Sequence, residues 1–235
     1  RTPDWTPQAA QPLVPDEPVT VLSAAQDAGR KICDAYLLAH GLAPQPLRED
    51  EQTELLKTLL VRPRRRELEQ ASYTLLFGGL SLAALTHLTR HRMQSLCPPQ
   101  LLQNIRYDRY VLPQSVRDKG MEARYRSAFE LAGQAAAQLR DRGADESALR
   151  YLMLSGQTVP VLTTMNAGEL YVFFRLRCCT RAQWEIRAIA VEALHVLRKA
   201  HPLLFALYGP TCFMTGHCPE GKMCCGKTAE VREKY

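Results

Sequence analysis

Aromatic residues are scarce, 7% of 235 with only two Trp, so large stacked cofactor cradles are not announced by composition. No G-x-S-x-G elbow and no G-x-G-x-x-G fingerprint occurs, and no P-loop is expected, so the common hydrolase, dinucleotide-fold and NTPase templates fail. An enzyme built on this chain therefore takes its chemistry from a bound cofactor. The stretch best placed to span a bilayer, residues 71–89, contains Ser, Thr, Tyr, His and the pair Gly78-Gly79 and reads better as a buried strand followed by a helix. Polybasic tails, internal repeats and a signal-peptide succession are also lacking, so the expected location is the cytoplasm, with no membrane and no nucleic-acid partner.

What is present is an ordinary core composition, 46% apolar, with 30 Lys and Arg against 24 Asp and Glu. The net +6 favours anionic ligands such as nucleotides and cofactor phosphates. Eight cysteines occur, five of them after residue 178, and in a chain without export signals that clustering suits a reducing compartment and raises a metal site.

Five of the fifteen prolines fall in residues 1–18, which excludes a helix there and makes a Pro-rich arm. Hydrophobic spacing predicts helices from Ser23 to His40, Glu49 to Val61, Leu80 to Arg90, Glu122 to Arg140, Asn166 to Leu176 and Arg181 to Lys199. Strands are expected over Ser72 to Phe77, residues 105–112 and Thr158 to Met165, with Gly78-Gly79 as punctuation. The succession implies one α/β domain of the α+β type over 19–208, a central sheet flanked by helices, with a Cys-rich appendix over 209–235.

Arginines gather near element ends: Arg90, Arg92, Arg150, Arg177 and Arg181. A guanidinium stays ionised and makes paired hydrogen bonds to phosphate, yet any single surface Arg is more often merely solvated. The solvated reading weakens where Arg175 and Arg177 follow Phe173-Phe174 and precede Trp184, because cations beside aromatic surface suit a planar heterocycle carrying a phosphate. His91, between two arginines, is expected in its neutral form.

Several segments taken together resemble the flavin-dependent thymidylate synthases. Arg90-His91-Arg92-Met93-Gln94-Ser95 matches the opening of that family's R-H-R-x-x-S signature. Met165-Asn166-Ala167, Leu170, Phe174, Leu176-Arg177 and Ala182-Gln183-Trp184-Glu185-Ile186-Arg187 resemble its later elements in order and separation, and Glu69-Gln70-Ala71-Ser72 resembles the segment ahead of the strand. The resemblance covers roughly residues 19–206. It implies a homotetramer holding FAD at subunit interfaces, reduction by NADPH, a one-carbon unit from methylenetetrahydrofolate, and methylation at uracil C5 of a nucleoside monophosphate. It further implies Arg90 and Arg177 as catalytic groups, with His87, Gln100 and Arg150 joining them around the nucleotide. Glu69, Arg90, His91, Arg92, Asn166 and Arg181 would line the flavin pocket.

Departures from the family pattern concern the substrate. After Ser95 the family continues to an Asn, a Ser and an Arg-Tyr, whereas Cys97, Gln100, Leu102 and Gln103 stand at the ungapped positions, with Arg106-Tyr107 or Arg109-Tyr110 as replacements after an insertion. Gln70 and Arg181 stand where His is usual, and His87 where a Gln often contacts the nucleotide. These changes leave dUMP and UMP both open, the latter accepted by divergent relatives in nucleoside-antibiotic pathways. The alternative is a non-catalytic nucleotide- or RNA-binding module on the same fold. Four thiolates, Cys178, Cys212, Cys218 and Cys224, would make a tetrahedral zinc site or hold an iron–sulfur cluster, against free buried thiols or disulfides.

Overall fold

The computed structural model describes residues 15, 17–97, 99–101 and 106–235, so almost all of the Pro-rich arm lies outside the described residues. Strand β1 spans Val19–Ala24 and helix α1 spans Ala28–Ala39, where the sequence predicts a single helix from Ser23. The β-branched run Val19-Thr20-Val21 favours a pleated strand, and Asp27 at φ 47° turns the chain before the helix can begin. Helix α2, Glu49–Val61, opens on three acidic residues that suit its positive end, with the Arg48 backbone N–H donating to Glu51 at 2.9 Å.

Strand β2 runs Ser72–Ser81, longer than predicted, because Gly78-Gly79 forms a bulge between Phe77 and Leu80 instead of ending the strand. A Cβ on Gly78 would collide with the Glu17 carbonyl and come within 2.8 Å of the Pro15 Cβ, so only glycine lets the incoming chain cross there. Helix α3 is correspondingly short, Leu82–Leu88, capped by the Ser81 hydroxyl, which accepts from the Ala84 N–H at 3.0 Å. Strand β3 is Ser95–Cys97 and helix α4 is Glu122–Asp141. The strand expected over 105–112 is not formed among its described residues: Tyr110 makes one isolated bridge to Gln157 and the neighbouring residues are turn and loop. Strand β4, Thr158–Asn166, leads directly into helix α5, Ala167–Arg177, and then helix α6, Trp184–Ala200. The Cys-rich segment folds as short helical turns ending in helix α7, Thr228–Lys234.

The strands form one antiparallel sheet in the order β1-β2-β4-β3, flanked by helices, as the α+β expectation requires. Alternation decides which face is covered. Tyr73, Leu75 and Phe77 of β2 and Val159, Val161 and Met165 of β4 share a buried face with the apolar stripes of α5 and α6, while Thr74 and Thr164 bond to each other at 2.9 Å on the opposite face. Glu185, in the first turn of α6, is buried and receives two donors from the end of β2, the Ser81 N–H at 2.7 Å and the Ser81 hydroxyl at 2.5 Å. This carboxylate ties the helix to the sheet at the point where α3 begins.

Removing it would leave the Ser81 N–H without its acceptor in a dry setting. Glu185→Ala is expected to lower stability by about 3 kcal/mol, and Glu185→Gln, which keeps one acceptor, by about 1 kcal/mol, both read by urea denaturation.

Candidate active site

Helix α5 carries the site along one face. Asn166 caps it, its side-chain oxygen accepting from the Glu169 N–H at 2.8 Å. Glu169, Phe173 and Arg177 follow at four-residue steps, so all three line one side of a helix about 16 Å long. The His91 ring lies edge-on to Phe173, centroids 5.1 Å apart, and bridges the two charged ends. Its Nδ1 is 3.0 Å from the Glu169 carboxylate, and its Nε2 accepts from the Arg177 Nε–H at 3.0 Å. Since the guanidinium can only donate, Nε2 carries no proton; the ring is the neutral Nδ1–H tautomer donating to Glu169. His91 and Glu169 are both buried in the chain, and the ring serves there as a strut for Arg177.

Arg177 is held on a second side, its Nη2 donating to the His87 carbonyl at 3.1 Å. Burial and the nearby Arg90 both push its proton affinity down, though a guanidinium remains charged. The His87 imidazole is shifted below its ordinary value by burial first, then by Arg177 and Arg90. His87, Arg90 and Arg177 therefore form one cationic neighbourhood, with Arg90 and Arg92 exposed on either side of the buried His91. Arg175, Arg177 and Arg181 also line a cavity of about 320 Å³ whose opposite wall is Cys212, Cys218 and Glu220 of the C-terminal segment.

Glu69 and Asn166 come together around Gly168, where an added Cβ would sit 3.2 Å from the Asn166 Oδ1 and 3.7 Å from the Glu69 Cγ. Glu69 is also 3.5 Å from Arg66. Arg150 is exposed in a helical turn near Asp145, and Gln100 is exposed beyond β3. Leu102 and Gln103 lie outside the described residues. Phe173 and Phe174 are fully buried and belong to the core, so the aromatic surface read beside Arg175 is supplied instead by Tyr171, whose ring centre is 5.3 Å from that guanidinium.

The metal set needs correction. Among the described residues no three His, Cys, Asp or Glu side chains are gathered as a metal would require. Cys178 turns into the core at the end of α5, where burial pushes its thiol up to about 12, and it is Cys179 that shares the cavity with Cys212 and Cys218. The expectation of no P-loop also needs one, because Gly221-Lys222-Met223-Cys224-Cys225-Gly226-Lys227-Thr228 spells G-x-x-x-x-G-K-T. That stretch follows no strand: a helical turn at Gly221–Met223 leads into the seven-residue α7, so the strand–loop–helix context of a nucleotide-binding P-loop is missing. Sequence reasoning gave no role to Glu169, Ser81 or Glu185; only the four-residue steps from Glu169 through Phe173 to Arg177 hinted at the first.

The fold agrees with comparison to known proteins. A family model described as thymidylate synthase complementing protein matches residues 16–203. The chain belongs to the flavin-dependent thymidylate synthase family. It is 40% identical over 198 residues to the flavin-dependent thymidylate synthase of Geobacter sulfurreducens, covering 81% of this chain and 84% of that one. It is 31% identical to the enzyme of the same name from Clostridium tetani, covering 94% of this chain and 93% of that one. Among solved structures, the UMP/dUMP methylase PolB from Streptomyces cacaoi shares the fold, with a TM-score of 0.64 at 18% identity over 80% of this chain and 91% of that one.

Because Arg90 contributes to the depressed imidazole of His87, Arg90→Ala is expected to move the His87 titration back up toward about 6.5 without reaching it, since burial remains. An NMR titration of the imidazole protons measures this directly.

Proposed function

We propose that the chain methylates uracil C5 of UMP, dUMP or both, with FAD as redox cofactor, NADPH as its reductant and methylenetetrahydrofolate as carbon donor. The observation that carries this reading is Arg177, held by His91 and by the His87 carbonyl so that one amino group is left to face a nucleotide. Uracil C5 becomes nucleophilic only as negative charge builds on the ring and its carbonyls, and a fixed guanidinium stabilises that charge without reorganising. Arg90 adds a second positive charge, and the neutral His91 keeps Arg177 from rotating away. Arg175 and Arg181, which line the same cavity, suit the nucleotide's phosphate.

The residues present fit a flavin. Exposed Arg90 and Arg92 form no salt bridge among the described residues, which leaves charge for a pyrophosphate, while the Asn166 amide and the Glu69 carboxylate meet around Gly168 as a donor and an acceptor for ring edges. When bound, FAD would supply the hydride chemistry that no side chain here offers. The family resemblance supplies the folate donor, NADPH and the homotetramer. The substrate range is supported by the fold shared with a UMP/dUMP methylase.

Arg177→Ala is expected to retain FAD, to weaken nucleotide binding about 10- to 100-fold and to lower kcat by at least about 100-fold. Flavin absorbance, nucleotide titration and a paired dUMP and UMP assay with methylenetetrahydrofolate and NADPH read the three. Unchanged nucleotide affinity would remove Arg177 from the site, and nucleotide binding without turnover in the unaltered protein would return the non-catalytic reading.

A further inference from the structure

A second cavity, of about 610 Å³, lies between the start of α6 and the C-terminal segment, and four of its lining side chains are cationic: Arg181, Arg187, Lys227 and Lys234. The one carboxylate in the lining, Glu230, already lies 3.6 Å from Lys227. Arg181, Arg187 and Lys234 form no ion pair among the described residues, so the cavity carries positive charge that the chain does not balance. The Arg187 Nε–H has no acceptor among the described residues, whereas Arg181 is steadied by its Nε–H donating to the Met223 carbonyl at 2.8 Å. The uracil chemistry calls on none of Arg187, Lys227 and Lys234.

Local structure gathers these charges. Lys227, Glu230, Val231 and Lys234 recur at three- and four-residue steps, the spacing of one helix face, and all four line the cavity, with Val231 buried to seat α7. Just ahead of them Gly226, at φ 75°, turns the chain so that Cys225 and Lys227 on either side of it both reach the lining. The G-x-x-x-x-G-K-T stretch, which lacks the setting of a P-loop, thus still delivers a lysine to a cationic cavity. Arg187 comes from the first turn of α6 on the other side. No aromatic side chain belongs to the lining, so a base or ring has nothing to stack on and recognition falls on charge. The volume lies within the roughly 300–1,000 Å³ of ordinary small-ligand pockets and is more than a single phosphate needs.

We propose that this cavity is a second anion site, taking a chain of two or more linked phosphates through Arg187, Lys227 and Lys234, with Arg181 at its border with the arginine-lined cavity. Linked phosphates bring several negative charges close together, which is what four cations around one space require, and their arrival relieves the repulsion among those cations. The guanidinium forks match the paired oxygens of a phosphate, and the two lysines add point charges that accept any oxygen along the chain. The shared chemistry is the polyphosphate, whether free or carried by a nucleoside.

The test is calorimetric titration of the full-length protein with tripolyphosphate, orthophosphate, citrate and ATP. Tripolyphosphate is expected to bind at one site per chain, at least about tenfold more tightly than orthophosphate or citrate, and to weaken as salt is added. Lys227→Gln/Lys234→Gln, which alters two exposed side chains and leaves the fold alone, should weaken it about tenfold, and Arg187→Gln should do the same. Arg177→Ala should leave it unchanged. ATP binding as tightly as tripolyphosphate assigns the site to a nucleoside polyphosphate, and exclusion of ATP assigns it to the free chain; the site stands in both cases. Citrate or orthophosphate binding as tightly as tripolyphosphate, affinity undiminished in the lysine double variant, or binding abolished by Arg177→Ala would overturn the proposal. The readout needs neither flavin nor turnover, so its failure leaves the methylase reading untouched.

Discussion

A single neutral imidazole organises the site. His91 has one ring proton to give and one lone pair to offer, and Glu169 takes the first while Arg177 fills the second, both at 3.0 Å. Swapping the tautomer would set two donors against each other at Arg177 and a lone pair against a carboxylate at Glu169, so the arrangement has one solution. Removing the ring from water costs little because both nitrogens are satisfied, and the buried carboxylate sits in the first turn of α5, where the helix dipole favours negative charge. The same segment is pinned to the sheet. The Gln94 side chain donates to the Leu88 carbonyl at 2.7 Å and accepts from the Thr163 hydroxyl at 2.7 Å, so the loop bearing Arg90, His91 and Arg92 is fixed to β4 as well as to α5. Both ends of this loop are thus tied to the two elements whose junction is Asn166.

The residues most legible in the sequence are those whose role is local. Asn166 as a helix cap and the alternation through β4 follow from neighbours within a few positions, and Arg177 is marked by the ordered family blocks. Roles set by distant partners were not legible. The bulge at Gly78-Gly79 reads as an end in one dimension and proves to be a crossing point only because residues 15 and 17 pass over it. Strand β1 escaped because it exists by pairing with β2, and six residues after a proline carry too little periodicity to declare it. Cys178 and Cys179 differ by one position, about 100° around the helix end, and hydrophobic spacing within the last turn does not fix which of the two faces the core. Glu185 is the clearest case: the sequence marks it only as part of a family block, and its burial is intelligible only once the Ser81 donors are in place.

The segment between α5 and α6 shows how an excess of positive charge is tolerated. Arg175, Arg177 and Arg181 crowd the C-terminal end of α5, where unpaired carbonyls carry partial negative charge, so their mutual repulsion is partly offset by the helix itself. A few residues on, α6 presents its positive end, and there the chain places the carboxylate of Glu185. Arg181 lies between the two cavities, lining both, with its Nε–H committed to the Met223 carbonyl of the C-terminal segment. That bond makes the C-terminal segment part of the wall of the arginine-lined cavity. A shift of the segment would move the Met223 carbonyl and free the Arg181 guanidinium, so the position of the C-terminal segment and the electrostatics of the arginine-lined cavity are coupled.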